Sequence, residues 1–401
     1  MRPTPQPPSV GRARAAVSAL FLTNGALYAN ILPRYPEIKQ ALGLDNAEYG
    51  FAVIAFPVGA IVAGLGAAWA IRRLGSARAA VFSTILTALG VLAAGLAPNV
   101  WVFVGFLLVG GACDAITDVA QNAHGLRVQR AMGRSILNSF HAVWSVGAVL
   151  GGAMAAGAIA VGLPIGVHLA ISGAIFCVVA LVALRYCLPG PDRDPTPDGH
   201  AAASSGAEIA RRVPARVVLT LIALVVIAMA GSVVEDAGFT WAALYLTSLG
   251  APGAIAATGL IALVGAQFVG RLVGDRLVDR FGQRAVARAG GLLVVVGMGV
   301  ALALGTVSGS IVGFAAAGLG IATLVPAAMH AADELPGLRH GTGLTVVSWL
   351  MRLGFLASPP AVGLIANATD LRTALAIVPC AGLAVIVLAG VLDRRRENAR
   401  R

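Results

Sequence analysis

Asp114, Asp118 and Gln121 are spaced by four and then three residues, which places them on one face of a helix, with Thr117 and Asn122 on its flanks. They interrupt an otherwise apolar run, where ionisable groups are costly to keep and are therefore functional candidates. Two carboxylates one turn apart in a low dielectric repel when both are charged, so one of them is expected to hold a proton near neutral pH. A proton carrier needs that property. The plainer alternative is a structural network in which the acids cap backbone groups or bind Arg127. His141 enters the next apolar run from the opposite direction, which puts it near the depth of Asp118 and Asn122, within reach of either. It would relay protons or orient an acid there, unless it is a neutral ring satisfied by a carbonyl. His168 and His330 read as structural.

Other polar side chains in apolar surroundings form a second tier. Asn24 and Tyr28, with Asn30, are the polar positions of the first run, and Trp144 follows His141. Together with Gln121 and Asn122 they are expected to face a solute. Glu235 and Asp236 precede Trp241 and Tyr245 in the seventh run, in its outer third. These acids are candidate solute ligands, Trp241 would stack on a solute ring, and Arg34 at comparable depth would pair with Glu235 as an outer gate. An interfacial ion pair within one half is the alternative for those charges, and membrane-interface anchoring is the alternative for the aromatic rings. Arg352 lies near the middle of the eleventh run with no acid within a helical turn. A partner from elsewhere is obligatory: an anionic solute, or an acid such as Glu235 or Asp236.

These residues need elements that cross a membrane to hold them. The chain has 401 residues, 58% of them hydrophobic and only 12% charged, with a mean hydropathy of +0.85. That is too apolar for a soluble chain of this size. Apolar runs over 13–34, 47–71, 77–97, 99–126, 135–161, 163–188, 216–248, 252–275, 284–305, 309–331, 341–366 and 372–392 predict twelve transmembrane helices. The first is read as a retained span, not a cleaved signal, because it runs on into Pro33-Arg34-Tyr35-Pro36. The 50 glycines recur in small-x-x-x-small spacing, as at Gly147 and Gly151 or Gly270 and Gly274, which lets helix backbones approach closely in lipid. The four cysteines, at 113, 177, 187 and 380, show no metal-ligand spacing and predict neither a disulfide nor structural zinc.

The net charge of +11 would suggest nucleic acid in a soluble protein, but its distribution points to a bilayer. Of the 29 Arg and Lys residues, only Arg34, Lys39 and Arg372 fall in the segments on one side, and Arg352 within a span. The others, Arg271 among them, are assigned to the opposite side, a positive-inside asymmetry that predicts both termini in the cytoplasm. The polar stretch Pro189 to Arg216 divides the chain into residues 1–188, a linker over 189–215, and residues 216–401. The loop Arg72-Arg73-Leu74-Gly75-Ser76-Ala77-Arg78 recurs six spans later as Asp279-Arg280-Phe281-Gly282-Gln283-Arg284. Two pseudo-symmetric six-helix bundles in an all-α membrane protein are expected of parallel-repeat transporters, with the solute between them.

Those residues support a resemblance. Asp279-Arg280-Phe281-Gly282 with Arg284 resembles the signature loop of the major facilitator superfamily, while its first-half copy has Arg72 at the signature Asp. Asn24-Gly25, Pro33 to Lys39, Asn138 to His141 with Trp144-Ser145, Glu235 ahead of Trp241, Gly270 to Asp275, and Gly354-Phe355-Leu356 before Pro359-Pro360 resemble the fucose-permease-like branch of bacterial carriers. The resemblance implies a proton-coupled solute carrier, often for sugars or related metabolites, with Arg271, Asp275, Asp279 and Arg280 among its gating residues. A fucose-type symporter would carry an acid on the first span, where this sequence offers Asn24, Tyr28 and Asn30. The run Gly147 to Gly152 resembles the antiporter signature of drug exporters, with Ala148 in place of its proline.

The expected function is proton-coupled symport of a small polar solute, a sugar-like metabolite or organic anion, by alternating access in the bacterial inner membrane. A proton antiporter exporting drugs or metabolites is the alternative. A ligand receptor on the same frame is a third reading, which would be expected to bring a long signalling tail. No phosphate-cradling loop, Ser-His-Asp set or metal cluster is present, so the chain is not expected to be an enzyme. The proton gradient would be its energy source, with no cofactor, no nucleic acid partner, and a monomer in the bilayer.

Overall fold

The computed structural model describes residues 10–64, 66–133, 136–190, 214–336, 338 and 341–392. Most of the linker expected at 189–215 lies outside them. Buried backbone amides in lipid must bond within their own segment, and the apolar runs do so as helices. Among the described residues twelve helices are long and apolar enough to span a membrane: α1 Val10–Ala41, α2 Asn46–Gly64, α3 Ser76–Gly95, α4 Val100–Met132, α5 Ser139–Ala160, α6 Ile165–Leu184, α7 Ala215–Ser248, α8 Gly253–Phe281, α9 Gln283–Leu304, α10 Val307–Asp333, α11 Thr342–Ala368 and α12 Leu371–Val391. The even number leaves both described ends on one face, here the terminal face; the opposite one is the far face.

The Pro33 to Pro36 segment does not end the first span. It forms a single 3-10 turn over Leu32–Arg34 and then a helix over Tyr35–Ala41. Pro33 and Pro36 each sit in the first turn of a helical piece, where a missing N–H is not needed. Span α11 is also broken, with helices over Thr342–Leu350 and Arg352–Ala368 meeting at Met351, so Arg352 opens the second piece.

Spans α1 to α6 pack together, chiefly α3 on α4, α1 on α5 and α2 on α4, and α7 to α12 do likewise. The glycine spacings act at these seams. A Cβ on Gly147 or Gly151 of α5 would strike the carbonyls of Leu22 and Ala26 on α1, so only glycine permits the approach that brings Trp144 against Asn24. A Cβ on Gly270 or Gly274 of α8 would instead meet the Ala322 and Thr323 side chains of α10.

Contacts between the halves concentrate toward the far face. There α2 packs on α11, and α5 on α8. Gly50 lies against the carbonyl of Pro359, and Gly363 against that of Asn46. Tyr49 donates its hydroxyl to the Thr240 carbonyl at 2.9 Å, and its ring meets Trp241 edge-on at 5.1 Å. Nearer the terminal face Asp118, His141, Arg271 and Arg352 are exposed. The far face is closed and the terminal side of the seam is open.

Candidate functional site

Asn24 is the centre of the site. Its Nδ2 donates to Asp114 Oδ1 at 2.7 Å, and its Oδ1 accepts from Trp144 Nε1 at 2.9 Å and from Gln121 Nε2 at 3.3 Å. One amide thus ties α1 to α4 and α5, and its flip state follows from its partners, because the indole can only donate and a carboxylate accepts. Gln121 reaches on to Asp118 Oδ1 at 3.5 Å, and Asn122 donates to the same oxygen at 3.0 Å. Asn122 Oδ1 then meets His141 Nε2 at 3.2 Å. A continuous polar chain runs Asp114, Asn24, Gln121, Asp118, Asn122, His141 along the first half, from the buried end of the seam to its open side. Gln121 Oε1 is buried with no hydrogen-bond partner, an acceptor left over at the centre of the chain.

The α4 face therefore forms as its spacing predicts, and Thr117 on its flank donates to Ser83 of α3 at 2.8 Å. Arg127 instead turns to the carbonyls of Pro189 and Gly190. The second half answers with cations. Arg271 of α8 donates to Ser145 Oγ of α5 at 3.3 Å, across the seam and well inside the span. Counting it with the loop charges is corrected accordingly. Arg352 is close enough for its charge to act on Asp118, as is His141. It forms no ion pair or hydrogen bond among the described residues, and it meets neither Glu235 nor Asp236. Above this pair, Asn24, Tyr28, Asp114 and Trp144 line a small cavity closed from the second half by Phe239, Leu260 and Val264. Tyr28 stacks on Phe56 at 3.9 Å. The cavity presents polar groups on one wall and apolar groups on the other.

Three expectations are corrected in this state. Arg34 does not pair with Glu235: it is buried, bonded to Glu37 at 2.8 Å and to the Leu163 carbonyl at 2.8 Å, so it ties the far end of α1 to the turn before α6. Depth along two helices says nothing about rotation around them. Trp241 does not face the cavity; it is fully buried in the far-face seam against Tyr49. Asp236 is likewise buried in that seam, while Glu235 beside it is half-buried. Asp275, Asp279 and Arg280 are exposed at the terminal end of α8, and none makes an ion pair among the described residues.

Several partners escape sequence reading because they come from other helices. Tyr49 and Asn367 close the far face. His168 bonds Asn30 at 2.8 Å, joining α6 to α1. His124, fully buried, has Nδ1 2.8 Å from Ser76 Oγ and accepts at Nε2 from the Leu188 backbone N–H at 3.1 Å, so it ties α4 to the start of α3 and to the segment after α6. Its only sequence signal is an imidazole three residues beyond Gln121 on the same helix. The four cysteines are unpaired.

Comparison with known proteins agrees with this fold. The family model described as Major Facilitator Superfamily matches residues 17–277 and 262–401. A protein described as uncharacterized transporter y4wD, from Sinorhizobium fredii, is 30% identical over 383 residues, covering 94% of this chain and 97% of that one. Among solved structures, a D-xylose–proton symporter superposes with a TM-score of 0.73 at 18% identity, over 96% of this chain and 98% of its own. The transporter FucP in its outward conformation superposes with a TM-score of 0.60 at 19% identity, over 94% and 97%. At these identities the two structures share the fold.

Proposed function

The chain belongs to the Major Facilitator Superfamily, and from that premise we propose that this multi-pass transporter is a proton-coupled symporter of a small polar solute in the bacterial inner membrane. The observation that carries the reading is the polar chain from Asp114 through Asn24 to Asp118 and His141, at the seam between the halves and facing Arg352. Two acids in a span, linked by amides and open to one side, suit the uptake and release of a proton. The Tyr28 and Trp144 rings beside them suit a sugar-like ring or a comparable metabolite, and Gln121 Oε1 offers an acceptor for a hydroxyl donor. Arg352, with no acid bonded to it, suits an anionic group on the solute. With the terminal face assigned to the cytoplasm by the positive-inside pattern, the described state is open inward.

Rocking of the two halves about this site would expose it alternately to either side. The test is purified protein in liposomes under imposed pH gradients of both signs, with labelled sugars, organic acids and cationic dyes. Symport predicts accumulation of one solute class driven by an acidic exterior, with alkalinisation of the medium. Accumulation driven only by an acidic interior would establish antiport and overturn the reading.

A further inference from the structure

Asp236 is an acid that the polar chain does not use. It lies in α7 at the far-face seam, 7% exposed, between α11 of its own half and the α1–α2 region of the other. Its Oδ1 accepts from Thr240 Oγ1 at 3.2 Å, while its Oδ2 is buried with no hydrogen-bond partner. Ser358 Oγ of α11 faces the same carboxyl as a second hydroxyl donor, outside ordinary hydrogen-bond geometry. The first half covers the site with phenol rings. Tyr28, Tyr35 and Tyr49 all lie within reach of its charge, Tyr28 and Tyr35 are joined hydroxyl to hydroxyl at 3.3 Å, and Tyr49 bonds the Thr240 carbonyl.

Among the described residues no cation serves it. Arg34, on the turn packed against α7, is bonded to Glu37 and the Leu163 carbonyl. Lys39 sits nearer Asp45 and Glu48. Arg352, at the start of the α11 piece that packs on α7, acts on Asp118. Arg372, in the first turn of α12, donates to the Ala303 carbonyl. The nearest charge on its own helix, Glu235, has the same sign. An ionised carboxylate here would be buried at the seam with only hydroxyl groups beside it and no counter-charge, which a protein interior tolerates badly. A protonated one has a hydrogen to offer and no charge to bury. When the halves part at this face, Tyr49 and α2 withdraw and water reaches the acid.

We propose that Asp236 is a proton-binding site of the far gate, distinct from the acids on α4: the far face closes only over the neutral acid, so closing takes up a proton from that side. The proposal rests on the alternating-access reading above, though not on the identity of the solute. Linkage gives its size: where the open form is ionised and the closed form protonated, each unit rise in pH lowers the closed-to-open ratio about tenfold.

The test uses the full chain with its native cysteines replaced by serine, spin labels at Ala41→Cys and Ala368→Cys across the far face, and pulsed dipolar distances from pH 5 to pH 9, without solute. The distance distribution of the otherwise unaltered chain is expected to shift from short to long as pH rises. Asp236→Asn is expected to stay short at every pH, and Asp236→Glu, which keeps a titrating carboxyl, to retain the response with a displaced midpoint. Asp114→Asn with Asp118→Asn is expected to leave the response in place. The proposal is overturned if the parent distances do not depend on pH, if Asp236→Asn responds like the parent, or if only the α4 double variant abolishes the response. Because no transport is measured, a protein that gates with pH yet moves no proton with solute would refute the symport reading and leave this one standing.

Discussion

Asn367, at the far end of α11, accepts hydrogen bonds from the backbone N–H groups of Asn46 at 2.9 Å and Ala47 at 3.3 Å, the first two residues of α2. One half of the protein thus caps a helix of the other. Those amides have no partner within their own helix, and the Asp45 carboxylate caps chiefly the Glu48 N–H. On the alternating-access reading the bonds exist while the far face is closed, and water would replace them when it opens. Asn367 is therefore a latch whose removal acts on one conformation and spares the helix.

Asn367→Ala is expected to lower the closed population of the far face. Losing these bonds is worth about 1 kcal/mol, or roughly a fivefold change in the equilibrium. Thiol labelling of Ala41→Cys at the far mouth should accelerate by a similar factor, with the melting temperature little altered. Labelling at the parent rate would show that the latch carries no weight.

Asp45 lies between spans, and its carboxyl is held below the usual carboxylate range by the Glu48 backbone N–H, with the Asn367 amide adding to the effect. A depressed value in the folded state means a contribution that is full above the unfolded value, near 3.9, and lost as pH falls through the folded one. Asp45→Ala should therefore melt below the parent at pH 7, and the two melting curves should converge below about pH 4. A gap that persists unchanged in acid would assign the loss to something other than this charge.

For the α4 acids, Asp118→Asn is expected to abolish uphill accumulation and to leave solute counterflow intact, because exchange needs binding without a net change in protonation. Asp114→Asn keeps a partner for Asn24 and should behave likewise. If both variants still accumulate solute under a proton gradient, these acids do not couple transport.

Arg352 separates two roles by charge. If it holds an anionic solute, Arg352→Lys keeps the charge and loses the bidentate fork, so affinity for acids should fall about tenfold or more while neutral solutes are unaffected. If it chiefly balances Asp118, removing both charges should restore the stability that removing Arg352 alone costs. Ligand-induced thermal shifts in the single and double variants read both outcomes.

The parts of the site that were legible in the amino-acid order share one helix. Asp114, Asp118 and Gln121 reveal their common face by spacing, and the membrane class and twelve spans follow from apolar run length. What could not be read depends on how helices turn toward one another. Arg34 and Glu235 stand at similar depth, yet the rotation of α1 and α7 gives Arg34 to Glu37. Trp241 looked like a stacking platform, but its face of α7 is the one that Tyr49 covers. Asn24 is an unremarkable polar residue until α5, drawn close by Gly147 and Gly151, delivers Trp144 to its oxygen. Arg271 lies near the end of the apolar run over 252–275, where a loop charge and a polar position inside a longer helix look alike in sequence.

The 2.7 Å bond between Asn24 and Asp114 has a consequence for how such a site can diversify. Amide and carboxylate have nearly the same outline and differ here only in which of them brings the hydrogen. Exchanging them, with aspartate on α1 and asparagine on α4, preserves the bond and relocates the negative charge from α4 to α1 within the first half without altering the packing. Two substitutions would then convert an acid-on-α4 carrier into an acid-on-α1 carrier. The intermediate with two carboxylates needs a shared proton, while the one with two amides keeps the bond but has no charge, which makes the order of the steps consequential for any lineage that crosses between them.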